Sequence, residues 1–120
     1  MQRGLVMTLD KIRIWLASNL ESFRSSTVLA GYPSLECVGQ SDLSCGALGR
    51  IEAAQPDVVI LEIDAHDRQI NRTLKRLASS IPAARIIASS STDDKRFVMR
   101  LLRHGVHGYL SKVEMETELV

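Results

Sequence analysis

Short apolar runs alternate along the chain with longer segments whose apolar residues recur at helical spacing. Strands are predicted over residues 11–16, 35–40, 58–63, 84–89 and 106–110, and helices over residues 19–30, 42–54, 66–80 and 93–104, with a short last helix from Glu114 to Val120. Strands that alternate with helices are typical of a parallel sheet covered by helices on both faces. The pattern therefore predicts a doubly wound α/β fold with five parallel strands.

The candidate core follows from the same pattern. Residues 58–63 are almost entirely apolar, which is typical of a central parallel strand buried on both faces. The next helix carries Ile70, Leu74 and Leu77 on one face, where they are predicted to pack on the sheet. In the helix over residues 93–104, the predicted buried stripe consists of Phe97, Val98, Leu101 and Leu102.

Single residues support these boundaries. Asp42 is predicted to cap the second helix, and Gly105 is predicted to end the fourth helix in a left-handed conformation.

Trp15, the only tryptophan, is predicted to pack in the core. Cys37 is predicted to be a buried strand residue and Cys45 a reduced thiol, since their spacing does not match a zinc site.

Chain length, net charge and the length of the apolar runs restrict the class of protein to which this chain can belong. The 120 residues suffice for one domain, predicted over residues 11–120 after a flexible extension over residues 1–10. A net charge of +1 gives no basic excess for nucleic-acid binding. No apolar run reaches the roughly 20 residues of a membrane span, and no secretory signal is recognisable. We therefore expect a cytoplasmic domain, and the short last helix suggests a fragment of a longer protein.

Polar residues gather where the predicted strands end. Ligands of open parallel sheets bind beyond the carboxyl ends of the strands, where strand order reverses. The side chains expected at this edge of the sheet are those of Ser18, Asn19, Glu62, Asp64, Ser89, Ser90, Ser111 and Lys112. Carboxylate, ammonium and hydroxyl groups would meet there.

Several short motifs occur in an informative order. They are Ile12-Arg13-Ile14, Phe23-Arg24, Val38-Gly39, Pro56-Asp57-Val58-Val59, Asp93-Asp94 and Gly108-Tyr109-Leu110 followed by Lys112. With these motifs the chain resembles the receiver domain of bacterial response regulators, and within that family the NarL/LuxR-type branch. The resemblance implies a flavodoxin-like sheet with strand order 2-1-3-4-5. It also implies a LuxR-type DNA-binding output domain beyond Val120.

The resemblance assigns a role to six positions, and three of them have lost the expected chemistry. Glu62 stands at the phosphoacceptor position, and Ser18 and Asn19 stand at the acidic pair that holds Mg²⁺. The switch hydroxyl, the switch aromatic residue and the lysine are retained as Ser90, Tyr109 and Lys112. Because Mg²⁺ usually requires carboxylate ligands, we expect weak Mg²⁺ binding or none.

The sequence allows two roles for the carboxylate of Glu62 and two for that of Asp64. Its extra methylene moves the carboxylate by about 1.5 Å into the space of a phosphoryl group. The carboxylate either forms a structural ion pair with Lys112, which requires only proximity, or partly imitates a phosphorylated site. Asp64, two residues later, is either a turn residue or a displaced phosphoacceptor.

The main hypothesis is a degenerate receiver domain that works without phosphorylation as an interaction or dimerisation module and not as an enzyme. Its expected interaction surface pairs basic residues of the fourth helix with acidic residues of the last helix: Arg96, Arg100, Arg103, Glu114, Glu116 and Glu118. One alternative is an active receiver that is phosphorylated on Asp64 or Glu62 with Mg²⁺. Another is a sensor of a small anion in the emptied pocket.

The histidines His66, His104 and His107 are expected at the surface.

Overall fold

The computed structural model describes residues 11–18, 33–64, 68–90 and 94–111. Their elements, in chain order, are β1 (Ile12–Ser18), β2 (Leu35–Ser41), α1 (Cys45–Ala54), β3 (Val58–Glu62), α2 (Ile70–Ser80), β4 (Arg85–Ser90), α3 (Lys95–Arg103) and β5 (Gly108–Ser111). All strand pairs are parallel, in the order β2-β1-β3-β4-β5. The predicted five-stranded sheet and its order are confirmed. The extension over residues 1–10, the helix over residues 19–30 and the last helix lie outside the described residues.

Two apolar clusters lie on opposite faces of the sheet. The larger cluster joins α1, α2 and α3 to one face and includes Trp15, Leu61, Leu74 and Leu101. The smaller cluster consists of Ile14, Leu16 and Ile60, with partly buried Leu35, Val58 and Ile87 around it. Neighbouring strand residues point to opposite faces, so β1 and β3 contribute to both clusters. This explains why residues 58–63 carry no polar residue before Glu62.

The β1–β2 pair contains a close contact between an indole ring and a glycine. The strand register shifts between Ile14 and Trp15, so that Val38 on β2 has no partner on β1. Trp15 is 6% exposed, and its Nε1 donates a hydrogen bond of 2.9 Å to Ser41 Oγ. A Cβ on Gly39 would lie 2.5 Å from Cε3 and 2.6 Å from Cη2 of this ring. Only glycine leaves room for the indole here.

Arg13 connects β1 to the end of α1. Its guanidinium donates hydrogen bonds to the carbonyl oxygens of Ala54 and Gln55, at 3.0 and 2.9 Å. Its backbone N–H donates to Asp57 Oδ2 at 2.8 Å. The last carbonyls of a helix have no partner within the helix, so these contacts satisfy two of them. Arg13 and Asp57 of the sequence motifs are therefore scaffold residues.

The ends of the helices partly follow the prediction. The cap of α1 is Ser44, whose Oγ accepts from the N–H of Ala47, and not Asp42 as predicted. Asp42 instead accepts hydrogen bonds from the N–H and Oγ of Ser44, which lower the pKa of its carboxyl group. Gly105 follows α3 with a φ of 107°, which confirms its predicted left-handed conformation.

Two predictions of burial are wrong, and a third, for Val98, is only partly right because this side chain is half-buried. Leu102 is 41% exposed, because the buried line of α3 runs through Phe97 and Leu101, four residues apart, and Leu102 is turned about 100° away from Leu101. Cys37 lies in a strand as predicted but is exposed. Its strand, β2, is an edge of the sheet next to the register shift, so regular alternation of buried and exposed residues is lost.

A bidentate ion pair joins α1 to α2. Arg76 Nε and Nη2 lie 2.7 and 2.9 Å from the carboxylate oxygens of Glu52. The guanidinium lowers the pKa of Glu52, and the carboxylate in turn raises the pKa of Arg76. The folded protein therefore holds Glu52 ionised more firmly than the unfolded chain does. This contribution to stability is present above the ordinary pKa of Glu52 and is lost as pH falls through its lowered value.

We expect Glu52→Gln to lower the melting temperature at pH 7, where only the wild type has the ion pair. The difference between the two proteins should shrink to nothing as the pH is lowered through the acid range, because Glu52 then becomes neutral like glutamine. Thermal unfolding followed by circular dichroism from pH 7 to about pH 2 measures this difference. A difference that stays constant over this range would contradict the assignment to the ion pair.

Within the residues that the structure describes, none of the helices has the length and apolar character that a membrane crossing requires.

Candidate functional site

Three polar residues stand side by side at the carboxyl ends of β1, β3 and β4. In the strand register, Glu62 is paired with Ser18 on one side and with Ser89 on the other. Ser18, Glu62 and Ser89 are 3%, 2% and 0% exposed. Each follows by two residues an apolar residue of the smaller cluster, namely Leu16, Ile60 and Ile87, so all three point to that face of the sheet. We call this set the Ser-Glu-Ser row.

The Ser-Glu-Ser row places a carboxylate between two hydroxyl-bearing residues, each on a neighbouring strand about 4.8 Å away. Ser89 Oγ is buried and has no hydrogen-bond partner among the described residues. The sequence predicts Ser89 at this edge of the sheet but gives it no role in the site. The signal that identifies it is the register, because Ser89 becomes a neighbour of Glu62 only when β3 and β4 are paired.

Ser90 and Tyr109 meet next to the row. Ser90 is 2% exposed, and the Tyr109 hydroxyl donates a long hydrogen bond of 3.4 Å to the Ser90 carbonyl oxygen. Tyr109 is partly buried against the larger cluster. The structure thus brings together Tyr109 and Ser90, to which the family resemblance assigns the two switch roles.

Other predicted site residues are separate from the row or undescribed. Asp64 lies two residues beyond the end of β3 and is exposed. Asn19 and Lys112 lie outside the described residues, so the proposed pairing of Lys112 with Glu62 stays a prediction.

The described part of the site is a poor match for Mg²⁺. In the Ser-Glu-Ser row, Glu62 supplies the one carboxylate, and both neighbours are neutral hydroxyls. The described residues contain no cluster of three histidine, cysteine, aspartate or glutamate side chains that could hold a metal ion. Mg²⁺ is a hard cation that gives up its water reluctantly and favours anionic oxygen ligands. Weak Mg²⁺ binding stays a prediction.

The exposed side of α3 combines basic and apolar residues. We call it the α3 face, and it consists of Arg96, Met99, Arg100, Leu102 and Arg103. Met99 and Leu102 are 49% and 41% exposed, although both are large and apolar. The guanidinium carbon of Arg100 lies 5.5 Å from the centre of the Phe97 ring, in cation–π contact. Glu114, Glu116 and Glu118, the predicted acidic partners, lie outside the described residues.

The described histidines have structural contacts. His107 Nδ1 accepts a hydrogen bond of 3.0 Å from the backbone N–H of Ile86, and the backbone N–H of His107 donates to the Ile86 carbonyl oxygen at 2.7 Å. A ring nitrogen of His104 lies 2.8 Å from the Arg100 carbonyl at the end of α3. Both side chains are exposed, as predicted. His66 lies outside the described residues.

No family model matches the chain, but curated relatives do. The transcriptional regulatory protein DegU of Brevibacillus brevis is 27% identical over 111 residues, which are 91% of this chain and 47% of DegU. The DNA-binding transcriptional activator DevR/DosR of Mycobacterium tuberculosis is 30% identical over 104 residues, which are 84% of this chain and 48% of that protein. The chain thus spans about half the length of these relatives.

Solved structures have the same fold. The signal receiver domain of the response regulator NarL from Mycobacterium tuberculosis superimposes with a TM-score of 0.78 at 26% identity, covering 92% of this chain and 91% of that domain. A LuxR-family DNA-binding response regulator from Staphylococcus aureus superimposes with a TM-score of 0.72 over 90% of this chain. Its 18% identity shows likeness of fold alone.

Proposed function

Since this chain is a response-regulator receiver domain of the NarL/LuxR-like kind, a signalling module and not an enzyme, we propose that it works without being phosphorylated. In this proposal it is a degenerate cytoplasmic receiver domain that acts through protein interaction or dimerisation in transcription regulation. The proposed attached partner is a LuxR-type DNA-binding domain. Two likenesses support it: the chain spans only 48% of DevR/DosR, a DNA-binding transcriptional activator, and it shares its fold with a LuxR-family DNA-binding response regulator.

The observation that supports the proposal most strongly is the Ser-Glu-Ser row. Phosphorylation of a carboxylate requires a nucleophile with room for the phosphoryl group and a metal ion that neutralises developing charge. Glu62 is 2% exposed and longer than aspartate, so little space is left for a phosphoryl group. The Ser18 hydroxyl beside it carries no charge to attract Mg²⁺. The Ser-Glu-Ser row therefore offers neither enough room for the phosphoryl group nor a strong site for the metal ion.

We expect the wild type to keep its mass when it is incubated with acetyl phosphate and Mg²⁺. Glu62→Asp alone should also stay unmodified, because the metal ligands are still missing. The triple variant Ser18→Asp/Asn19→Asp/Glu62→Asp should gain one phosphoryl group, because it has the acidic set that Mg²⁺ prefers. Intact mass spectrometry with peptide mapping measures the gain. Modification of the wild type at Asp64 or Glu62 would overturn the proposal.

Asp64 is the specific alternative that this experiment tests. It is exposed at the carboxyl end of β3, close along the chain to the usual position of the nucleophile. Asp64→Asn in the wild-type background is the matched control. If the wild type is phosphorylated and Asp64→Asn is not, the domain is an active receiver with a relocated site.

The interaction surface that we propose is the α3 face. Exposed apolar residues between arginines resemble the composition of protein interfaces, which are enriched in methionine and arginine. Opposite charges across a twofold axis favour a symmetric pair of chains. We propose that the α3 face of one copy meets Glu114, Glu116 and Glu118 of a second copy.

We expect charge reversal on the α3 face to weaken this dimer. Arg100→Glu/Arg103→Glu should raise the dimer dissociation constant at least roughly tenfold, because like charges would then face each other. Arg50→Glu/Lys75→Glu makes the same change of charge at exposed positions of α1 and α2 and should leave the constant unchanged. Sedimentation velocity over a concentration series measures both. Equal effects of the two double variants would mean that the association depends on net charge and not on this surface.

A further inference from the structure

A cavity of about 390 Å³ lies between α1 and α2. Its walls are formed by residues at the beginning of α1 and on the facing side of α2: Leu43, Ser44, Cys45, Leu48, Gln69, Arg72, Thr73 and Arg76. The volume falls within the range of small-molecule sites, roughly 300–1,000 Å³. The cavity is on the side of the sheet that α1, α2 and α3 cover, whereas the Ser-Glu-Ser row points to the other side.

The walls of the cavity differ in chemistry. Leu43 and Leu48 form an apolar wall, and both are anchored in the core with 8% and 4% exposure. On α2 the cavity is lined by Arg72, which is exposed, and by the hydroxyl-bearing Thr73, which is 8% exposed. Such a cavity favours a molecule with an apolar body and one polar end.

The charges around the cavity select the sign of that polar end. Arg76 is already bound to Glu52 through two hydrogen bonds, which largely offset its charge. Asp42, near the cavity along the chain, does not line it, and its carboxylate accepts hydrogen bonds from the N–H and Oγ of Ser44. Arg72 has no carboxylate within ion-pair distance among the described residues. Among the charged residues that line the cavity, Arg72 is therefore the one without an ion pair in the described part of the chain, and its guanidinium is a planar fork of donors that fits a carboxylate.

We propose that the cavity between α1 and α2 binds a small amphipathic anion. Its carboxylate, or an anionic group of similar geometry, pairs with Arg72, and its apolar body lies against Leu43 and Leu48. The proposed site shares no residue with the Ser-Glu-Ser row.

The two cysteines provide a direct measurement of occupancy. Cys45 is exposed and lines the cavity, whereas Cys37 is exposed on β2 and does not. Iodoacetamide, a neutral reagent, alkylates each thiolate as the sulfur displaces iodide, and peptide mass spectrometry follows the two sites separately. We expect octanoate to slow the alkylation of Cys45 in a saturable way and to leave Cys37 unchanged. Octylamine, with the same apolar chain and a positive end, should protect neither.

Two variants of α2 complete the experiment. Arg72→Gln should weaken the protection of Cys45 by octanoate roughly tenfold, which is about 1.4 kcal/mol. Lys75→Gln removes the same charge from an exposed position of the same helix that does not line the cavity. In this variant, octanoate should protect Cys45 as well as it does in the wild type. Unfolding curves verify that both variants are folded. Absence of protection, equal protection by octylamine, or equal weakening in both variants would overturn the proposal.

Discussion

Gly39→Ala is expected to destabilise the domain by roughly 1–3 kcal/mol, the usual cost of overpacking a well-filled site. The new Cβ would lie 2.5 Å from Cε3 of Trp15, well inside van der Waals contact. The indole cannot move away cheaply, because it is buried and its Nε1 is hydrogen-bonded to Ser41. Urea denaturation at neutral pH measures the change in the free energy of unfolding.

A glycine-to-alanine substitution in α1 should have the opposite effect on stability. Gly49→Ala lies in α1, where no atom beyond the neighbouring helix backbone stands within 4 Å of the new Cβ, and it should stabilise by roughly 0.5–1 kcal/mol through helix propensity. In a Trp15→Leu background, which removes the ring, Gly39→Ala should lose most of its cost. If Gly39→Ala costs as much without the indole, the contact with Trp15 is not the cause.

Leu74→Ala is expected to cost roughly 2–5 kcal/mol, enough to leave a domain of this size marginally stable. Leu74 is 0% exposed in the larger cluster, so its removal leaves a cavity between α2 and the sheet. Lys75→Ala, at the exposed neighbouring position, should stay within about 0.5 kcal/mol of the wild type. Urea denaturation of both variants provides the comparison, and similar losses for the two would contradict the assigned packing of α2.

The fold could be predicted because its main elements carry strong patterns. Residues 58–63 could hardly be anything but a central strand, and Ile70, Leu74 and Leu77 all face the core as their spacing predicts. Leu102 and Cys37 were placed wrongly because exposure depends on which neighbours an element meets. For Leu102 the helix turns the side chain away from the sheet, and for Cys37 the strand is an irregular edge. Neither fact can be read from a local pattern.

The site could be predicted only as far as each strand end could be located. Ser18 and Glu62 do lie side by side as expected. Ser89 became part of the site only through strand register, and Arg72 became part of a cavity only through the packing of α2 against α1. Contacts between elements distant in sequence carry no periodic signal, which is why sequence reasoning did not find them. The roles of Asn19 and Lys112 rest on the family resemblance alone.

The register shift between β1 and β2 also bears on how copies of this domain can meet. An edge strand offers unpaired backbone groups on which a second chain could add as a further strand, a common route to aggregation. In β2 the extra residue at Val38 puts the two halves of the strand out of step and increases its twist. A straight incoming strand cannot match both halves at once. This edge of the sheet is therefore a poor template for growth by strand addition.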